Sequence, residues 1–121
     1  MDRFSFGDSP EMADRLLGLV LAGKKTATTS ALSDPTIAHN DIGKRWIVLD
    51  GKGKERAIIE TAELRIVPFM EVDEAFARDE GEGDLTLSYW RKVHEDFFRR
   101  EGVYSPDMKV VCERFKLVEA L

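Results

Sequence analysis

The chain has 121 residues, a net charge of −5, 43% hydrophobic and 34% charged residues, a profile that suits one domain (residues 1–121) with its own core and excludes a disordered polymer. The acidic balance excludes a protein that coats long duplexes, since each phosphate held calls for a nearby Lys or Arg. It leaves room for a small substrate or a short single strand in a locally basic cleft.

One cysteine, Cys112, lies in the apolar run Val110-Val111-Cys112; a lone thiol makes no internal disulfide and points to a reducing compartment. No cationic segment precedes an apolar stretch at the N-terminus, so no signal peptide is read. The longest apolar run, Leu16 to Ala22, is interrupted by Gly18 and is too short to span a bilayer. The expected location is cytoplasmic, without a membrane.

In chain order, residues 9–22 are expected to form a helix. Asp8 or Ser9 caps it, Pro10 suits an early helical position, and Met12, Leu16 and Val20 recur on one apolar face. Gly23 is placed to end it. Lys24 to Ser30 is rich in β-branched residues and reads as a strand. Residues 33–45 carry loop signals, Trp46 to Asp50 reads as a strand, and Gly51 to Lys54 as a turn into a long strand over 56–67. A short helix is expected at 71–80 and a stronger one at 85–100, where Leu87, Trp90, Val93 or His94, and Phe97 with Phe98 form a stripe. Lys109 to Val118 closes the chain as a strand. Strands and two main helices without strict alternation indicate an α+β fold with a small curved sheet or barrel.

Three constellations carry possible chemistry. Gly23-Lys24-Lys25-Thr26-Ala27-Thr28-Thr29-Ser30 places two ammonium groups and four hydroxyls beside a helix end. It reads either as a polar cleft wall with charge and a nucleophile, or as an exposed edge strand. Side chains alternate along a strand, so Lys24, Thr26, Thr28 and Ser30 share one face and Lys25, Ala27 and Thr29 the other. Lys25 and Thr28 meet only where the chain bends between them. The loop Glu80-Gly81-Glu82-Gly83-Asp84 sets three carboxylates before a helix. Glu80 can orient or deprotonate a partner, or the cluster simply favours the helix N-terminus; the calcium-loop spacing is missing. Trp90 and His94, four apart, either pack in the core or stack on a base and bond its edge.

Two blocks resemble a known family. Phe6-Gly7-Asp8, the capped helix and Gly23-Lys24-Lys25-Thr26-Ala27-Thr28 look like the opening of ASCH-domain proteins. Ala77 to Asp84, Tyr89-Trp90-Arg91, His94 and Phe97-Phe98 look like the second block of the family's larger bacterial branch. The resemblance implies a PUA-like β-barrel of about five to six strands flanked by two main helices, with a cleft beside the first helix, and an association with RNA. It also implies amide hydrolysis of N4-acylated cytidine by a Lys, a Thr and a Glu, which here are Lys25, Thr28 and Glu80. Other members are ribonucleases, and the chain is longer than the compact amidohydrolases around Glu82 to Phe98 and Tyr104 to Asp107.

Three functions therefore stand open. In an amidohydrolase, Lys25 deprotonates Thr28 if its surroundings favour the neutral amine, and Glu80 positions Lys25 or protonates the leaving amine. In a ribonuclease of single-stranded RNA, with a divalent metal possible, Lys24 or Lys25 stabilises the phosphorane-like state, Thr28 or Ser105 holds phosphate, and Trp90 and Tyr104 stack bases. A binding module needs no chemistry. Thr26, Ser30 and Arg91 complete the expected substrate contacts. No cofactor is called for, and no zinc spacing, Ser-His-Asp order or phosphate-binding glycine loop occurs.

Overall fold

The computed structural model describes residues 1–121. Strand β1 (Asp2–Phe4) leads into helix α1 (Pro10–Leu21), followed by β2 (Ala27–Ala31), β3 (Arg45–Leu49), β4 (Glu55–Pro68), α2 (Glu74–Asp79), α3 (Leu87–Arg100) and β5 (Lys109–Ala120). Short 3-10 turns lie at Pro35–His39 and Phe69–Glu71. The strands form one sheet in the order β1-β3-β4-β5-β2, all neighbours antiparallel except β1 with β3.

Local chemistry explains the boundaries. At the N-terminus of α1 the Ser9 hydroxyl accepts the Met12 N–H, and Pro10 opens the helix. At its other end Gly23 takes φ +76°. The N–H groups of Lys24 and Lys25 both donate to the Leu19 carbonyl, and that of Thr26 to Asp79. Those donors are spent closing the helix and joining α2, so β2 begins at Ala27 rather than Lys24. The expected β3–β4 hairpin is present, its turn tied by the Asp50 carboxylate accepting from the Lys52 and Lys54 N–H groups.

Strand β4 is long enough to pair with β3 and with all of β5, and its register against β5 shifts at Ile58/Ile59 and Thr61/Glu63. Such bulges bend and twist a ladder, and the sheet curls into a half-barrel. It has five strands, within the expected number, but does not close: β1 and β2 remain edges. Three residues of β1 paired to β3 alone leave a gap to β2 that no strand fills.

Two apolar clusters join the helices to the sheet. Leu16, Leu17 and Val20 of α1 pack on Val48, Ala57, Ile59, Phe115 and Phe6. Phe76 and Ala77 of α2 and Trp90 and Phe98 of α3 pack with Phe69, Val72, Ala27, Ala31, Val110 and Cys112. The alternation of β5 sorts its side chains between them: Val110 and Cys112 join the α2–α3 cluster, and Phe115 joins α1.

Candidate functional site

The segment after α1 meets the loop after α2 across a shared interior. Gly81, at φ +75°, makes this approach possible: a Cβ there would lie 2.3 Å from the Lys24 carbonyl oxygen. Lys25 Nζ lies 3.0 Å from Glu80 Oε1 and 3.8 Å from Glu82 Oε2, and the side chains of Lys25 and Glu80 are 1% and 2% exposed. The ammonium also donates to the Ala27 carbonyl at 2.9 Å and sits 5.4 Å from the centre of the Phe6 ring. Lys25 and Glu80 are therefore brought together.

Glu80 is the hub of the cluster. Besides Lys25 it receives the Thr29 hydroxyl and the Trp90 indole N–H, each at 2.6 Å on Oε2, and His94 Nε2 at 3.2 Å on the same oxygen. Burial pushes its carboxyl up, but Lys25 and His94 outweigh burial and hold it well below the carboxylate range. Burial likewise lowers His94, and the charge of Glu80 outweighs it, so the ring's pKa is raised. Its Nδ1 lies 2.9 Å from the Trp90 carbonyl oxygen; with acceptors at both nitrogens, the imidazolium is the form that satisfies both. Glu80, Glu82 and His94 bring ligand atoms within 4.8 Å of one another. Glu80 and Glu82 face the Lys25 ammonium and His94 spends Nε2 on Glu80, so the donor set does not suit a divalent ion.

Thr28 lies elsewhere. Along β2, Ala27 and Ala31 face α2 and α3, and Thr29 points with them to Glu80. Thr28 points the other way, into a cleft of about 550 Å³ in the gap between the edge strands. Thr29 and Ser30 also line this cleft, with Phe4, Phe6, Trp46, Phe97 and Phe98 as aromatic walls. The hydroxyl that contacts Glu80 is thus that of Thr29; alternation had already grouped it with Lys25, and the missing signal was which face turns inward.

The other expected contacts divide. Lys24 and Thr26 are exposed. Trp90 offers no surface to a base: Phe69 stacks at 5.4 Å on its ring, His94 stacks at 4.3 Å, and the residue is 3% exposed. Arg91 donates to the Met70 and Val72 carbonyls, tying α3 to the turn before α2. Tyr104 packs edge-on to Phe69 beneath Arg99, and Ser105 donates to Asp107 at 2.6 Å. None of these six lines the cleft; of the stripe on α3, Trp90 and Phe98 are buried core, and Phe97 and Phe98 border the cleft.

A second polar network was not anticipated. Glu113 of β5 accepts from Asn40 Nδ2 at 3.1 Å and from the Thr61 hydroxyl at 2.8 Å. Trp46 Nε1 donates to Asn40 Oδ1 at 3.0 Å. Glu113, Asn40 and Trp46 line the cleft, and burial pushes the Glu113 carboxyl up against the opposing hydrogen bonds of Thr61 and Asn40. These residues come from three distant segments, a separation that no local pattern reveals.

A curled, open five-stranded sheet with helices packed against it is an α+β, PUA-like fold. The chain belongs to the ASCH domain family, whose model matches residues 2–119. It is similar to protein EF3133 of Enterococcus faecalis, with 39% identity over 99% of this chain and 77% of that one, at a TM-score of 0.89. It is also similar to an ASCH domain from Lactobacillus crispatus, with 31% identity over 97% and 79% and a TM-score of 0.87. An ASCH protein of Zymomonas mobilis shares the fold at 11% identity, 99% and 72% coverage and a TM-score of 0.55. No match is found among curated proteins. No helix is long and apolar enough to cross a membrane.

Proposed function

We propose that the protein is an ASCH hydrolase that removes the acyl group from an N4-acylcytidine, with Thr28 as nucleophile and the Lys25–Glu80 pair as its charged support. The observation that carries this choice is the charge of the cleft. Asp34, Glu101 and Glu113 line it against one cation, Arg3. A phosphodiester would meet net repulsion there, whereas an uncharged nucleoside would not. Five aromatic side chains and a volume within the range of small-molecule sites suit a planar base.

In this reading the Thr28 oxygen attacks the acyl carbon, the bond to N4 breaks as the proton lost by the Thr28 hydroxyl passes to N4, and water then hydrolyses the acyl-threonine ester, releasing the carboxylic acid and restoring the hydroxyl. Lys25 bonds the carbonyl of the peptide that precedes Thr28, so its support includes fixing the strand start from which the hydroxyl projects. Glu80 keeps the ammonium in place.

The test is incubation of the purified protein with N4-acylcytidines of increasing chain length, read by chromatographic release of cytidine. Release that disappears in Thr28→Ala is expected. No release with any acyl chain removes the reading. Cleavage of single-stranded RNA that is lost in Lys25→Ala would put a ribonuclease in its place.

A further inference from the structure

The cleft holds a carboxyl that the Lys25–Glu80 cluster does not use. Glu113 on β5 is the direct register partner of Thr28 on β2, and side chains opposite each other on an antiparallel pair share a face. Both line the cleft. The clamp on Glu113 is neutral: the amide of Asn40 on one oxygen, and on the other the hydroxyl of Thr61, whose single proton faces Glu113 Oε2 at 2.8 Å and Asn40 Oδ1 at 3.0 Å. Asn40 is itself oriented, because its Oδ1 takes the Trp46 indole N–H and the Asp41 N–H, which turns Nδ2 toward Glu113. Thr61 is fully buried. A carboxylate oxygen accepts two hydrogen bonds, so each oxygen keeps a site for a ligand while its direction is fixed.

A fixed acceptor between aromatic walls selects among planar rings by the atom each presents. An exocyclic amine or amide N–H is accepted; a carbonyl oxygen at the same place is repelled. We infer that Glu113, clamped by Asn40 and Thr61, is the specificity residue of this cleft and accepts the exocyclic N–H of a cytosine-type base. The inference rests on the proposed function insofar as that reading puts a nucleoside in the cleft. An N4 nitrogen held on Glu113 lies across the strand pair from Thr28, the side from which its acyl group is attacked.

Calorimetric titration of the full chain with cytidine and with uridine tests this directly, since uridine carries a carbonyl where cytidine carries the amine. The wild type is expected to bind cytidine more tightly by about 10-fold or more, and Glu113→Gln, whose amide faces either group, to bring the two within about 3-fold. Thermal melting shows that the variant is folded, and Asn40→Ala, which frees the clamp, is a second variant expected to shrink the same ratio. Equal affinities in the wild type, no binding of either nucleoside at several millimolar, or an unchanged ratio in folded Glu113→Gln overturns the inference. Cytidine preference lost in Glu113→Gln without hydrolysis of any N4-acylcytidine by the wild type upholds Glu113 and removes the reaction. Hydrolysis with an unchanged ratio does the reverse.

Discussion

Replacing Lys25 with Met removes one charge of a buried pair and keeps much of its volume. Breaking such a pair on one side costs about 3–5 kcal/mol, because the other charge stays behind in a medium that solvates it poorly. Here the remaining carboxylate of Glu80 retains Thr29, Trp90 and His94 as donors, which places Lys25→Met near the lower figure. Glu80→Leu strands all four donors at once and belongs at the upper figure or beyond. With an unfolding entropy of roughly 2.1 cal/mol/K per residue, these figures correspond to melting temperatures lower by about 12 °C and about 20 °C. Thermal unfolding followed by circular dichroism at pH 7 reads both. A drop below about 4 °C for Lys25→Met, roughly 1 kcal/mol, or the opposite order of the two variants, would refute a buried ionic hub centred on Glu80.

Three further outcomes separate neighbouring residues. Thr29→Val loses a hydrogen bond to a buried charge and is expected to cost about 1.5–3 kcal/mol, whereas Thr28→Val, on the cleft face, leaves the unfolding free energy within about 0.5 kcal/mol of wild type and abolishes deacylation; denaturant unfolding and cytidine release measure the two. His94 has its folded pKa raised above the ordinary 6.5 by Glu80, so the stability it adds is complete below 6.5 and is lost as pH rises through the folded value. The melting-temperature advantage of wild type over His94→Gln is therefore largest in mild acid and shrinks on the alkaline side; an advantage that grows with pH would contradict the imidazolium. Gly81→Ala forces a Cβ to 2.3 Å from the Lys24 carbonyl oxygen at φ +75°, while Gly102→Ala, at φ +73°, meets open space. The second is expected to cost about 1–2 kcal/mol and the first clearly more, by chemical denaturation.

Much of this was legible before any coordinates. The caps and apolar spacing of α1, the Gly-rich turn after β3 and the stripe on α3 are local signals, and each element forms close to where its residues place it. β1 was not legible, since three residues are too few for a pattern. The start of β2 was displaced because backbone donors at Lys24, Lys25 and Thr26 are claimed by Leu19 and Asp79, a tertiary fact. Within the site, the convergence of Lys25 with the acidic turn followed from the family blocks, but Trp90 could be assigned to core or surface only by what lies on both its faces. Glu113, Asn40 and Thr61 carry no local signature; the bulged pairing of β4 with β5 and the loop after β2 bring them together.

The two adjacent threonines show how one short strand serves two environments. Thr29 turns its hydroxyl to Glu80 on the helix side while also bordering the cleft; low dielectric makes that bond worth keeping and makes an unpaired Lys25 costly. Thr28 faces the gap left by the unclosed sheet, where its hydroxyl is free of the ionic cluster and opposite Glu113. The Lys25 ammonium holds the Ala27 carbonyl, the peptide that leads directly into Thr28. The unclosed sheet is what leaves Thr28 and Glu113 together on the cleft wall. The charge that stabilises the fold has been drawn to the helix side, and the cleft is left acidic and aromatic, a surface suited to an uncharged ring and poorly suited to a phosphate chain.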